Sequence, residues 1–158
     1  MDGEQPSRLL LDEDFNELYP AISPDGRWIA YVSNESGQQE IYVRPFPNVD
    51  EGKSLISSDG GFAPLWSPAG KELFYRSGNK MMVVSVQTES TFTHGIPRVL
   101  FEAQYISGGP RAYDIHPDGQ RFLMIKEAPQ TEEPSAPAEI IWVQNWSEEL
   151  KRLVPTNR

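Results

Sequence analysis

Tyr19-Pro20-Ala21-Ile22-Ser23-Pro24-Asp25-Gly26-Arg27 is answered twice farther along the chain. It returns as Ala63-Pro64-Leu65-Trp66-Ser67-Pro68-Ala69-Gly70-Lys71 and as Ala112-Tyr113-Asp114-Ile115-His116-Pro117-Asp118-Gly119-Gln120. Ser23 and Ser67 are 44 residues apart and Ser67 and His116 are 49 apart, inside the roughly 40–50-residue period of propeller blades. In each copy a Pro sets φ near −65° and a Gly two positions later permits φ > 0, so the chain reverses there in a tight hairpin.

The segment after each hairpin, residues 28–33, 72–76 and 121–125, is apolar on both sides of the pleat and rich in β-branched and aromatic residues. Such runs predict strands buried on both faces, as in a blade held between two neighbours. A third strand is expected after each polar turn, at 40–44, 81–86 and 139–146, and a fourth at 54–57 and 98–101. The third copy ends instead in the polar segment 147–158, where Glu148 and Arg152 at i,i+4 spacing before Pro155 predict a short helical tail. Residues 8–11, ahead of the first copy, have the composition of a closing fourth strand.

The expected fold is therefore all-β: a β-propeller of three four-stranded blades, either a partial propeller or half of a six-bladed ring. Its divisions are an N-terminal segment with the closing strand (1–18), blades at 19–58, 59–103 and 104–146, and the tail at 147–158. Two copies would complete six blades, each lending residues 8–11 to the other's last blade, so a homodimer is one expected partner arrangement.

Composition narrows the function classes. With 14 Lys+Arg against 23 Asp+Glu, the formal charge of −9 repels a phosphate backbone, so nucleic acid is not an expected partner. Without cysteine there is neither a disulfide framework nor a thiolate zinc site. No apolar run approaches the ~18 residues of a membrane span, and the first seven residues lack the apolar core of a signal peptide. Membrane insertion by this chain is not expected, and its compartment is not fixed by these features.

The repeated hairpin, followed by Ile29-Ala30-Tyr31-Val32-Ser33 and then Ile41-Tyr42-Val43, resembles the TolB-like, WD-like propeller repeat, from about residue 8 to 153. More narrowly, Val43-Arg44-Pro45-Phe46-Pro47, Lys71-Glu72-Leu73-Phe74-Tyr75, Gly119-Gln120-Arg121-Phe122-Leu123 and the closing Asn145-Trp146 with Glu149-Leu150-Lys151 resemble the last blades of propellers attached to bacterial serine/threonine protein kinases. The resemblance implies a binding or scaffold module for a protein or peptide. It also admits a sensory segment of such a kinase, a segment of a prolyl-peptidase-type hydrolase, or a self-assembling structural unit. Ala69 and His116 depart from the repeat's turn Asp and Ser, which argues for a folding role of the turn.

Catalytic candidates are sparse. His94 and His116 are the only imidazoles, and no Gly-x-Ser-x-Gly elbow accompanies them. Asp12-Glu13-Asp14-Phe15-Asn16 opens like a calcium loop but lacks its sixth-position Gly and twelfth-position acid, so it reads as a solvated connector. Asp14-Phe15 is followed by Asn16, without the other kinase motifs. Asn34 and Asn145 head Asn-x-Ser triplets to which no role is assigned. The chain is thus expected to be no enzyme, with no cofactor and no metal. Contact with a partner is expected at the end carrying the connections into the first strands and between the second and third strands. Phe62 and Tyr105 are its aromatic anchors and Arg111 its cation. The proline-rich stretch 127–138 is a loop at the same end.

Overall fold

The computed structural model describes residues 9–106, 113–126 and 139–143. These form three antiparallel sheets in chain order. Sheet I runs β1 (Glu17–Ile22), β2 (Trp28–Ser33), β3 (Glu40–Pro45), β4 (Ser54–Leu55), with a 3-10 turn at Val49–Glu51 before β4. Sheet II holds β5 (Phe62–Trp66), β6 (Glu72–Ser77) and β7 (Lys80–Gln87), whose far edge is shared by β8 (Thr93–His94) and β9 (Arg98–Glu102). Sheet III consists of β10 (Tyr113–Ile115), β11 (Phe122–Lys126) and β12 (Glu139–Val143).

The hairpins form where the Pro-x-Gly turns predict them, with Gly26, Gly70 and Gly119 at φ of 72°, 69° and 71°. Their side chains bond within the turn. Ser23 Oγ donates to Asp25 Oδ1 (2.6 Å) and accepts from the Trp28 amide (3.0 Å), and Ser67 Oγ accepts from the Glu72 amide (3.0 Å). In the third hairpin the His116 ring takes the Ser position, accepting from the Asp118 amide at 3.2 Å.

Sheet II has two buried faces, and the period of two along its strands sorts them. Leu73, Tyr75, Val84 and Val86 meet Ala30, Val32, Ile41 and Val43 of sheet I. The intervening Phe74, Met81 and Val83 meet Tyr113, Phe122 and Met124 of sheet III. The Phe74 and Phe122 rings sit edge to face at 5.0 Å. The register Leu73↔Val84 and Phe74↔Val83 keeps each set on its own side, and slipping it by one residue would exchange the two faces.

Both first strands bend early. Register shifts between Leu18 and Ala21 and between Phe62 and Leu65 mark bulges, where Tyr19 (φ 54°) and Ala63 (φ 51°) adopt left-handed backbone just before Pro20 and Pro64.

Three features differ from the sequence expectation. β8 is an additional two-residue strand, which pairs only with the end of β7. β4 stops at Leu55, because Ser57 turns its hydroxyl to the Ile41 amide (2.7 Å) instead of continuing the ladder. Residues 9–11 form no strand within the chain. The expected helical tail, residue 8 and the whole 127–138 loop lie outside the described residues.

Candidate functional site

At one end of the sheets, the connections into β1 and β5 meet those between β2 and β3 and between β6 and β7. The Asn16 amide donates to Asn34 Oδ1 (2.9 Å), the Gly61 amide to the Gln39 carbonyl (2.8 Å), and Ser77 Oγ to the Asp59 carbonyl (2.8 Å). Glu40, buried at the start of β3, accepts hydrogen bonds from the Ser57 hydroxyl and the Gly60 amide (3.0 Å). A Cβ on Gly61 would lie 2.6 Å from Ser57 Oγ and 2.7 Å from Ile41 Cγ1, so this close approach requires glycine.

Two of the three expected anchors come together here. Arg76, fully buried at the end of β6, places its guanidinium carbon 6.0 Å from the Phe62 ring centroid and 5.7 Å from that of Tyr105. Its Nη2 donates to the Gly78 carbonyl at 3.0 Å, within the Gly78-Asn79 turn that joins β6 to β7. Tyr105 stands edge-on to Phe101 at 6.0 Å, and its neighbour Ile106 is tied by its amide to the Ile125 carbonyl (2.8 Å). Burial lowers the Arg76 pKa and raises that of Tyr105. The third anchor, Arg111, lies outside the described residues.

Sequence reasoning missed Arg76, although its signal was present: a cation directly following the apolar run Leu73-Phe74-Tyr75 must find compensation where it is buried. Glu40 was missed for a similar reason, since two of its partners, Ser57 and Gly60, come from a connection far along the chain.

The opposite end holds a concavity of about 940 Å³, bordered by Asp25, Arg27, Lys71, Thr88, Thr91 and His94 among others. Here residues 88–95 of sheet II reach back to sheet I. Arg27 donates to the Glu89 carbonyl (2.6 Å) and the Thr88 carbonyl, Trp28 Nε1 donates to the Thr88 carbonyl (3.2 Å), and the Phe92 ring lies 5.2 Å from Trp28 and 6.3 Å from Trp66. The cleft lining mixes charged side chains with hydroxyls and turn backbone, whereas Phe92 is spent on joining the sheets. A second groove of about 360 Å³ runs between β1 and β5, along Tyr19, Pro20, Pro64 and Trp66.

His94 is exposed, with Nδ1 2.9 Å from the Gly95 carbonyl, and His116 lies 3.0 Å from Asp118 in its own hairpin. The two imidazoles therefore serve separate local structures. Among the described residues, no three His, Asp or Glu side chains converge as a metal site.

No family model matches the chain. Over 69 residues it is 35% identical to the Tol-Pal system protein TolB of Desulfosudis oleivorans, a match covering 42% of this chain and 15% of that protein. Its fold resembles those of an acylaminoacyl peptidase from Pyrococcus horikoshii (TM-score 0.54, 20% identity, 78% of this chain and 20% of that one) and an oligogalacturonate lyase from Vibrio parahaemolyticus (0.51, 15%, 73% and 31%). It also resembles a structure assigned to TolB from Agrobacterium tumefaciens (0.51, 13%, 85% and 52%). The chain spans only part of each of these proteins. Together with the packed antiparallel sheets, the likenesses show a TolB-like β-propeller fold.

They also correct one expectation, that the chain is no enzyme. The same fold is found in a lyase and a peptidase. A propeller scaffold carries different chemistries in different proteins, so the fold by itself does not decide between binding and catalysis.

Proposed function

We propose that this chain is a protein-binding propeller module whose partner contacts the end carrying Phe62 and Tyr105. The observation that carries the reading is the Arg76 guanidinium set between those two half-buried rings. Aromatic anchors fixed over a rigid buried cation are the kind of preorganised contact from which binding hot spots are built. The likeness to TolB supports a protein as the partner class. Arg111 belongs to the same reading through its place in the connection that follows Tyr105.

The sheets are read as three blades, either of a partial propeller or of half a six-bladed ring that a second copy completes. A propeller attached to a bacterial serine/threonine kinase is the setting in which the sequence resemblance puts such blades. Support for that setting is the sequence pattern at residues 43–47, 71–75 and 119–123.

The two ends of the molecule can be told apart by photo-crosslinking in cell extract. A crosslinking residue placed at Tyr105 should capture a discrete protein, and Phe62→Ala should abolish that capture. The same residue placed at Lys71, in the opposite cleft, should not capture it. Capture from Lys71 alone would overturn the assignment.

A further inference from the structure

The outward face of sheet I poses a separate question. Ile29 and Tyr31 stand 44 positions before Leu73 and Tyr75, the residues with which sheet II packs on sheet I. By the repeat, Ile29 and Tyr31 lie on a sheet-packing face, yet no other described sheet covers it. They are nevertheless buried, at 5% and 1% exposure, as are Tyr42 (4%) and Arg44 (6%) from β3.

Part of the cover is the chain's own segment 9–16. Glu13 forms an ion pair with Arg44 Nη2. Arg44 Nε donates to the Tyr31 hydroxyl at 2.7 Å, and Nη1 donates to the Val49 carbonyl at 3.3 Å, so the guanidinium is aimed by two internal acceptors at the place Glu13 fills. The Asn16 amide on Asn34 Oδ1 fixes the end of the segment. Beside this, the Tyr31 and Tyr42 rings stack at 5.9 Å, with Lys53 5.7 Å from the Tyr42 centroid and paired to Glu35 at 2.6 Å. The two stacked tyrosines thus lie between Arg44 and a Lys53 already paired with Glu35, an aromatic face on which Arg44 is the cation that meets Glu13. The segment lying on it carries Asp12, Glu13 and Asp14.

Segment 9–16 contains no strand. The bonds that hold it are side-chain contacts, without the backbone ladder that makes strand addition costly to reverse. Such an attachment opens locally at small free-energy cost.

We propose that the outward face of sheet I is a binding site for an acidic extended segment, occupied here in cis by residues 9–16, with Arg44 receiving a glutamate. An equivalent acidic segment from another molecule competes for the same face once the internal one is weakened. This site uses residues other than Phe62 and Tyr105, and it belongs to the unpaired chain, because a second copy completing a ring would pack on the same face.

The test uses the full chain and a fluorescent synthetic peptide copying residues 9–16. In the Glu13→Gln variant, limited proteolysis should cut within residues 9–16 faster than in the native chain while the thermal transition is retained, and the variant should bind the peptide. The native chain should bind it about tenfold or more weakly, the difference of one ~1.4 kcal/mol contact. A peptide carrying Gln in place of Glu13 should not bind the variant. Asn34→Ala, which removes the other anchor, should act like Glu13→Gln, and Phe62→Ala should leave peptide binding unchanged. Equal binding by native and variant chains, binding by neither, or equal binding of the Gln peptide would overturn the proposal.

Discussion

The Tyr113 hydroxyl donates a 2.6 Å hydrogen bond to the Ala63 carbonyl, joining the first strand of sheet III to the first strand of sheet II. An analogous bond joins the preceding pair, from Trp66 Nε1 to the Ala21 carbonyl at 2.9 Å. In each case an aromatic donor from one sheet occupies a carbonyl of the sheet before it, at a strand edge that has no neighbour in its own ladder. These bonds fix how successive sheets lean together.

Tyr113→Phe should therefore lower stability by about 1–3 kcal/mol, because the Ala63 carbonyl stays buried without its donor. Urea unfolding of the two proteins measures the difference. An unchanged midpoint with an unchanged slope would mean that the bond contributes nothing to the seam.

Gly61 and Gly52 make a matched pair. Gly61→Ala puts a methyl against Ser57 and Ile41 and should cost about 1–3 kcal/mol by overpacking. Gly52→Ala meets nothing within 4 Å and has extended backbone at φ 163°, so it should be close to neutral. Differential scanning calorimetry of both variants checks the ordering.

Phe92→Ala should loosen the joint between sheets I and II at the hairpin end. Phe92 is half-buried, so the cost should be about 2 kcal/mol, below that of a fully buried ring. Trp28 and Trp66 both flank the ring, and their fluorescence should shift toward the red as water enters. An unshifted spectrum with native stability would contradict the role given to this residue.

Alkaline pH should unfold the protein through its buried phenols. Burial pushes Tyr31 and Tyr75 up from 10.0 to about 12, the nearby Glu40 charge adding to the effect at Tyr75, and burial raises Tyr113 as well. Because the folded values lie above the unfolded ones, the neutral phenols' contribution is complete below pH 10 and is lost as pH rises toward 12. Phenolate absorbance and circular dichroism recorded together should show these groups ionising with the loss of structure. Full ionisation below pH 10 with the sheets intact would rule this out.

What the sequence made legible is what local chemistry controls. The hairpins could be placed because Pro24, Gly26 and their counterparts restrict φ without help from the rest of the chain. The two-sided burial of β2 and β6 followed from apolar runs such as Trp28 to Ser33. β8 was not legible, since Thr93 and His94 become a strand only by meeting the end of β7. The Glu13–Arg44 pair was equally hidden: Glu13 read as part of a solvated connector, and only the packing of segment 9–16 against sheet I gives it a partner. Phe62 and Tyr105 were found as aromatic loop residues, but the cation near both came from the end of β6.

The bulges at Tyr19 and Ala63 also bear on how the chain behaves in a crowded solution. β1 and β5 are edge strands, and a regular edge is a template on which foreign strands polymerise. Left-handed backbone followed at once by Pro20 or Pro64, which have no amide hydrogen to offer, breaks the donor–acceptor rhythm that an incoming strand must match. The two edges lining the groove are thereby made unreadable to amyloid-like addition, while remaining free to accept the single bonds from Trp66 and Tyr113.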